Sequence, residues 1–419
     1  MITTKEKTRE ILIVLLLFVG FLFVRLFRFN ETFHFYYDQP LFSIKALEIW
    51  ESKDVPLIGP PISFNLEGRQ VFQGGIIYLV QLCFLLLGGF DPIRSTLAFI
   101  IFAGLMIAPL WAGAKNLAGK KAAVLAVSAY AFLPPLITGT LELTNPYFQL
   151  ALTPILIWIL SKHLLSPTWQ MTGLLGFAMG FLLQFHYQYV VVITLIAAFL
   201  LVRKPMIKLQ QAGALVVGGL IGFAPLILFE LRNDFYNLRT IGLYMNHWGE
   251  FGKQLGGGSL PFQYFLSLIL VASFALATMI GRKIPKLLVL VMVVVMTSWA
   301  VRDFVITPTQ GGILKDWKYQ DELRVNEIVR HEELSNYNVV MWYDTKSITQ
   351  RYLFLINNAK FDFENYRNNK YLFVVYPNPN WQQDGAYELN TFVPSKPIKE
   401  WKINAKYNLY LAERLRVSD

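Results

Sequence analysis

Long apolar runs alternate with short polar, mostly basic stretches over roughly the first 300 residues. The first run, residues 11–29, is long enough to cross ~30 Å of hydrocarbon and lacks the small-residue cleavage site of a removable signal peptide. Further runs of spanning length occupy residues 95–113, 122–140, 146–160, 171–184, 189–202, 212–229, 262–281 and 287–301. The pattern predicts a polytopic α-helical membrane protein with about nine spans.

The run at residues 72–89 is ambiguous, because it is apolar but carries two glutamines and ends in a turn signal. If it spans the membrane, all basic clusters except the first fall outside; if it lies along the surface, they all fall inside. The positive-inside rule favours the surface position. We therefore expect an interfacial helix within one long external loop at residues 30–94, preceded by another at residues 41–52.

Hydropathy falls after residue 301 and charges become dense and nearly balanced. An amphipathic helix is predicted at residues 317–334 and another helix at 348–357, with strands at 339–343 and 372–376. We expect a membrane domain at residues 1–301 and a small external soluble α+β domain at residues 302–419.

Composition agrees with this class: 54% of the 419 residues are hydrophobic and only 16% are charged. The net charge of +10 is spread over the basic clusters between apolar runs, so it signals membrane topology rather than a nucleic-acid partner. The single cysteine excludes a disulfide within the chain. The N-terminus is predicted to be cytoplasmic and the C-terminal domain external, in the plasma or inner membrane.

Asp38 is the strongest catalytic candidate. It follows Tyr37 in an aromatic stretch just beyond the first span. Partial desolvation there would raise its pKa and suit it to general-base chemistry, whereas the alternative is a solvated loop acid.

Polar residues in two other external turns are binding candidates. Glu142 and Asn145 lie between the third and fourth spans, and Gln184 and His186 between the fifth and sixth. Polar groups at that depth are functional candidates. Helix capping before Pro146, and hydrogen bonding between helices, are the structural alternatives.

Arg94 and Arg232 are cations on the face that the positive-inside rule depletes, each at one end of an apolar run. A guanidinium matches the oxygens of a phosphate group, which predicts a phosphate clamp. Arg25 and Arg28 are expected to reach the lipid headgroups instead.

The chain has no GxxxxGK[ST] loop, HExxH, CxxC or plausible GxSxG motif, which weighs against nucleotide hydrolysis and zinc proteolysis. No metal site is indicated; a divalent metal is possible, but arginines could stabilise phosphate charge without one.

Five short motifs occur in a characteristic order: YYDQ at 36–39, PLIGPP at 56–61, GGFDPIRS at 88–95, LELTNPY at 141–147 and QFHYQ at 184–188. With them the first 300 residues resemble the polyprenyl-phosphate-dependent C-type glycosyltransferases. The nearest group is family 39, which includes protein O-mannosyltransferases and aminoarabinose transferases. The chain departs from many relatives in having Gln39 after the aspartate, and Phe72, Gln73 and Gly74 where they have His-Pro-Pro.

The resemblance implies a hexosyl- or pentosyltransferase whose donor is a polyprenyl-phosphate sugar, with Asp38 as the base and Arg94 facing the departing phosphate. Glu142 and His186 would border the substrate pocket. The expected reaction is inverting single displacement onto an external glycan, lipid or protein. Alternatives are a transporter or flippase of lipid-linked sugars, to which ionisable residues gathered at one face are less suited, and an inactive scaffold.

Overall fold

The computed structural model describes residues 4–62, 65–203, 208–247, 262–306, 314, 316–357, 367–383 and 385–415. Contacts between Cα atoms divide the chain into two compact units. One comprises Met1–Phe29 and Ser52–Thr309, and the other comprises Asn30–Glu51 and Gln310–Asp419. We call them the helical unit and the sheet unit.

The described helices, in chain order, are α1 (Thr4–Leu26), α2 (Phe29–Thr32), α3 (Asp38–Ser52), α4 (Ile76–Leu87), α5 (Pro92–Leu105), α6 (Ile107–Ala118), α7 (Lys120–Phe132), α8 (Pro134–Thr138), α9 (Asn145–Leu165), α10 (Trp169–Leu183), α11 (Tyr189–Arg203), α12 (Leu209–Gly222), α13 (Ala224–Arg232), α14 (Tyr236–Asn246), α15 (Leu266–Gly281), α16 (Lys286–Val301), α17 (Tyr319–His331), α18 (Ile348–Ile356) and α19 (Tyr387–Asn390). Short 3-10 turns cover Phe262–Phe265 and Pro379–Gln383, and a π-helical turn covers Arg302–Ile306.

The strands are β1 (Ile58–Pro61), β2 (Phe72–Gly74), β3 (Tyr337–Met341), β4 (Tyr371–Tyr376), β5 (Ser395–Lys402) and β6 (Asn408–Arg414).

Helix α7 forms the centre of the helical unit and packs against α1, α6, α15 and α16. Its sequence is rich in alanine, and almost all of its residues from Ala122 to Phe132 are buried. Small side chains allow the surrounding helices to approach closely.

Among the described residues, four helical stretches are long and apolar enough to cross a membrane: Pro92–Ala118, Asn145–Leu165, Gln263–Gly281 and Lys286–Ile306. Helices α12 and α13 together form a fifth candidate that is bent by 70°. Much of α16 exposes large apolar side chains, as expected of a helix facing lipid. The protein is a multi-pass membrane protein, and the expected count of nine spans stays a prediction.

The two segments in which surface helices are expected are helical, as α3 and α4, and their position at the membrane surface stays a prediction. Between them, β1 and β2 pair as a short antiparallel hairpin. Glycine is favoured at Gly74, because a Cβ atom there would lie 2.7 Å from Gln184 Cβ.

The sheet unit contains a four-stranded sheet with the order β3-β4-β6-β5, in which only β3 and β4 are parallel. Helix α18 connects these two parallel strands. The elements expected at residues 317–334, 339–343, 348–357 and 372–376 are all present. Alternation along the strands buries one core cluster on each face, one containing Trp317 and the other Trp381.

The division between the units differs from the expected boundary at residue 301 in two respects, and the first is that the helical unit extends to Thr309. The second is that residues 30–51, which by their position in the sequence are expected in the membrane domain, pack with residues beyond 310. Tyr36 is a member of the core cluster that contains Trp317. The segment carrying Asp38 therefore belongs structurally to the sheet unit.

Candidate active site

Asp38 is the first residue of α3 and its side chain is exposed. Tyr37, which precedes it, is also exposed and has a φ of 54°, so the chain turns sharply before the helix begins. The partial desolvation expected for Asp38 is not observed. Instead, its position in the first turn of a helix favours a carboxylate through the partial positive charge of the helix N-terminus.

Aromatic side chains fix the segment that leads to Asp38. The rings of Phe33 and Phe35 contact Tyr319 edge-on, and Phe35 also packs against Tyr352. The backbone is held as well, because Thr349 Oγ1 donates a hydrogen bond to the Phe35 carbonyl oxygen at 2.9 Å. The apolar members of the aromatic stretch therefore anchor the loop, and Asp38 itself stays at the surface.

Gln39 differs from Asp38 in being buried, with 1% of its surface exposed. Its side-chain amide donates to the His34 carbonyl oxygen at 3.2 Å, and its backbone N–H donates to the Tyr36 carbonyl oxygen. An ionised glutamate has no donor to offer the same carbonyl. A glutamine rather than a glutamate at this position is thus consistent with a structural role.

In the helical unit, a second polar cluster surrounds β2. Asn145 Nδ2 donates to Gln73 Oε1 at 2.6 Å, and Gly74 N donates to the Gln184 carbonyl oxygen at 2.9 Å. The Gln184 side chain donates to the Gly222 carbonyl oxygen at 2.6 Å. The structure therefore brings together the predicted residues Asn145 and Gln184, with Gln73 between the elements that carry them.

Two residues that sequence reasoning missed hold β2 in place. Asn237 Oδ1 accepts from Phe72 N at 2.8 Å and its amide donates to the Phe72 carbonyl oxygen at 3.1 Å, which mimics a neighbouring strand. The Tyr187 hydroxyl donates to the same carbonyl oxygen. Nothing in the local sequence of α14 identifies Asn237, whereas Tyr187 lies inside the QFHYQ motif.

His186 is buried, and its ring stacks on Tyr264 with 4.3 Å between centroids. The Gln188 backbone N–H donates to His186 Nδ1, and Gln149 Nε2 donates to the His186 carbonyl oxygen at 3.1 Å. Burial lowers the pKa of the imidazole to about 4. At neutral pH the ring is therefore uncharged, with Nδ1 as an acceptor.

The cavity beside this histidine is lined mainly by apolar groups and by Gln149, Gln188, Tyr264 and Ser267. Such a cavity is suited to a ligand with both apolar and hydrogen-bonding groups.

The other predicted residues of the helical unit lie at helix ends and turns. Arg94 occupies the first turn of α5, where its backbone N–H donates to Asp91 Oδ1 at 2.8 Å, and Arg232 is the last residue of α13. Both side chains are exposed, and in the part of the chain that the structure describes neither guanidinium forms an ion pair. Glu142 is half-buried in the turn before α9.

Arg25 corrects an expectation, because it is buried rather than directed to lipid headgroups. Its guanidinium donates to Thr140 Oγ1 at 2.6 Å and to the Ala131 carbonyl oxygen at 2.9 Å, and it lies over the Phe21 ring. The break between α7 and α8 leaves carbonyl oxygens that a buried cation can bind. Arg28 donates to the Val305 and Ile306 carbonyl oxygens.

Within the described ranges, no group of three or more His, Cys, Asp or Glu side chains is placed to hold a metal ion. The expectation that a metal is not required stays a prediction.

Fold and polar clusters together define a class: a multi-pass helical membrane protein whose α/β unit presents an exposed aspartate at a helix N-terminus. Residues 75–229 match the family described as dolichyl-phosphate-mannose-protein mannosyltransferase. That range includes Arg94, Glu142, Asn145, Gln184 and His186, and it begins after Asp38.

A solved structure extends the likeness in fold to the rest of the chain. The crystal structure of ArnT from Cupriavidus metallidurans in the apo state has a TM-score of 0.54 and 12% sequence identity, with coverage of 97% of this chain and 98% of that one. The structure of ArnT from the same organism bound to undecaprenyl phosphate has a TM-score of 0.48, with the same identity and coverage. The search of curated proteins found no match. The resemblance predicted from the sequence is confirmed, and the apo structure shows that the fold is shared.

Proposed function

We propose that the protein is a membrane glycosyltransferase that moves a sugar from a polyprenyl-phosphate carrier to an acceptor on the external side of the membrane. The observation that carries this proposal is the presentation of Asp38, an exposed carboxylate at the N-terminus of α3 on an anchored loop. The family match over residues 75–229 supports the reaction class.

In the proposed reaction, an acceptor hydroxyl oxygen bonds to the anomeric carbon as the bond from that carbon to the carrier phosphate oxygen breaks. The electron pair leaves with the phosphate, and the hydroxyl proton passes to Asp38. Attack opposite the leaving group inverts the anomeric configuration. The step requires no oxidant or nucleotide.

Arg94 and Arg232 are proposed to bind the phosphate, because both are exposed guanidinium groups without an ion-pair partner among the described residues. Glu142, Asn145, Gln184 and His186 are proposed to border the substrates. Asn145 and Gln184 are already engaged in hydrogen bonds around β2, so they would act mainly by shaping the pocket wall. Tyr37, which is exposed beside Asp38, is proposed to contact a sugar.

The test is transfer from a panel of polyprenyl-phosphate sugars by the purified protein in lipid vesicles. Asp38→Asn keeps the shape of the side chain but cannot accept the proton, so we expect turnover to fall by roughly 100- to 10,000-fold. Asp54→Asn is the matched control, since Asp54 is an exposed acid shortly after α3 and its loss should leave transfer unchanged.

Equal transfer by Asp38→Asn and the native chain would place the base elsewhere. Absence of transfer by the native chain from every donor would favour a transporter or a scaffold.

A further inference from the structure

Glu322 is an unusual residue for the core of a small α/β unit. It lies in the first turn of α17 and has no exposed surface. A buried carboxylate rarely stabilises a fold more than an apolar side chain of similar volume would. Its presence under the sheet therefore requires a reason other than stability.

Both oxygens of its carboxylate accept hydrogen bonds. Trp317 Nε1 and the Tyr343 hydroxyl both donate to Oε1, at 2.6 and 2.5 Å, and Gln350 Nε2 donates to Oε2 at 2.6 Å. Asn326 donates in turn to Gln350 Oε1 at 3.2 Å. A connected network of this kind restricts each member to one orientation.

Two of these donors also contact the segment before Asp38. The Tyr36 hydroxyl donates to the Trp317 carbonyl oxygen at 3.3 Å, and the rings of Tyr36 and Tyr343 pack edge to face at 5.4 Å. The Tyr343 ring also meets Tyr37, with 6.4 Å between centroids. The two residues immediately before Asp38 thus rest on the Tyr343 ring, which Glu322 orients, and Tyr36 also bonds to the backbone of Trp317.

A second route reaches the loop through Thr349. The Tyr343 hydroxyl lies 3.5 Å from Thr349 Oγ1, which donates to the Phe35 carbonyl oxygen. Residues 35, 36 and 37 therefore all contact the network or its immediate partners.

We propose that Glu322 is a positioning residue for sugar transfer: by orienting Trp317 and Tyr343 it fixes the loop that places the Asp38 carboxylate. This inference rests on the proposed function, since it assigns Glu322 a part in the same reaction. The carboxylate does not touch the substrates.

The charge of Glu322 changes near neutrality. Burial raises its pKa to about 7, its three donors oppose that rise, and Asp344 adds to it. The other titratable groups that face it are Tyr36 and Tyr343, whose pKa values burial raises so far that both stay neutral. Below pH 7 a protonated Glu322 turns an O–H toward one of its donors, which loosens the network.

The experiment compares Glu322→Gln and Tyr343→Phe with the native protein in lipid vesicles. The readouts are kcat and KM for the lipid donor from pH 5.5 to 8.5, and hydrogen exchange of a peptide that contains residues 33–38. Trp381→Phe is the matched control, because Trp381 belongs to the core cluster on the other face of the sheet.

We expect both network variants to lower kcat about 10- to 100-fold with KM within about twofold, since small misplacements of a catalytic group have effects of this size. Exchange of residues 35–38 should be faster, and the control should change neither readout. The rise of native kcat through about pH 7 should disappear in Glu322→Gln.

Native-like kcat and native-like exchange in both variants would overturn the proposal, as would equal losses in Trp381→Phe. Failure of the proposed function looks different. If the native chain transfers no sugar but the loop still exchanges faster in the variants, the network holds the loop and the assigned reaction is wrong.

Discussion

Neighbouring residues at the start of α3 have opposite surroundings. Asp38 is exposed and Gln39 is buried, although both are polar and adjacent in the sequence. The difference arises because Gln39 turns inward to bind the His34 carbonyl oxygen, which closes the loop. A residue's chemistry therefore identifies the candidates, but the direction of each side chain separates an accessible group from a structural one.

His186 leads to a prediction about pH. Its pKa is lowered from an ordinary value near 6.5 to about 4 in the folded protein, so the unfolded chain binds the proton more tightly. Stability is therefore fully present above about pH 6.5 and is lost as the pH falls toward 4, by on the order of 3 kcal/mol.

Thermal unfolding in detergent between pH 4 and 8 measures this. His186→Gln should flatten the dependence in that window. An unchanged slope in the variant would assign the titration to another group.

At the scale of elements, glycines determine how α10 and α12 pack. A Cβ atom at Gly176 would lie 2.1 Å from the Leu215 carbonyl oxygen, and one at Gly218 would lie 2.0 Å from that of Gly173. The two helix backbones are thus in direct contact, as in other membrane helix pairs with small residues at the interface.

Gly176→Ala must separate these helices, so we expect a loss of about 1–3 kcal/mol of stability, seen as a lower unfolding temperature in detergent. Gly213→Ala on α12 is the control. No heavy atom lies within 4 Å of its added Cβ, and alanine favours helix by about 0.5–1 kcal/mol. A native-like Gly176→Ala would show that the helices can move apart without cost.

Element types follow well from the sequence, whereas side-chain networks do not. The periodicity of apolar residues and the hydropathy predict α17, α18, β3 and β4, because these patterns are local. The pairing of Asn145 with Gln73 and of Asn237 with Phe72 depends on segments that meet only in the folded unit. No spacing rule identifies them.

For the whole molecule, the membrane topology is constrained by which two segments of the chain form the sheet unit. Residues 30–51 pack with the C-terminal residues, so both segments must lie on one side of the membrane. The basic clusters predict that this is the external side.

Single cysteines in a Cys83→Ala background test the arrangement. Lys45→Cys and Lys399→Cys are at exposed positions of the sheet unit, and Lys283→Cys lies in a basic cluster that the rule places inside. In intact cells an impermeant maleimide should label the first two, and the third only after permeabilisation. Labelling of Lys283→Cys alone in intact cells would show that the orientation is the opposite of the predicted one.

By itself, the sequence determined the class of the protein, the type of most elements and the candidate aspartate, because hydropathy, charge and short motifs are local properties. Only the tertiary structure decided that the loop before Asp38 packs on the C-terminal residues, that Gln39 and Arg25 are buried, and that Glu322 underlies the loop. The physical reason is distance along the chain. The hydrogen bond from Thr349 to Phe35 joins residues 314 positions apart, and folding alone brings such partners together.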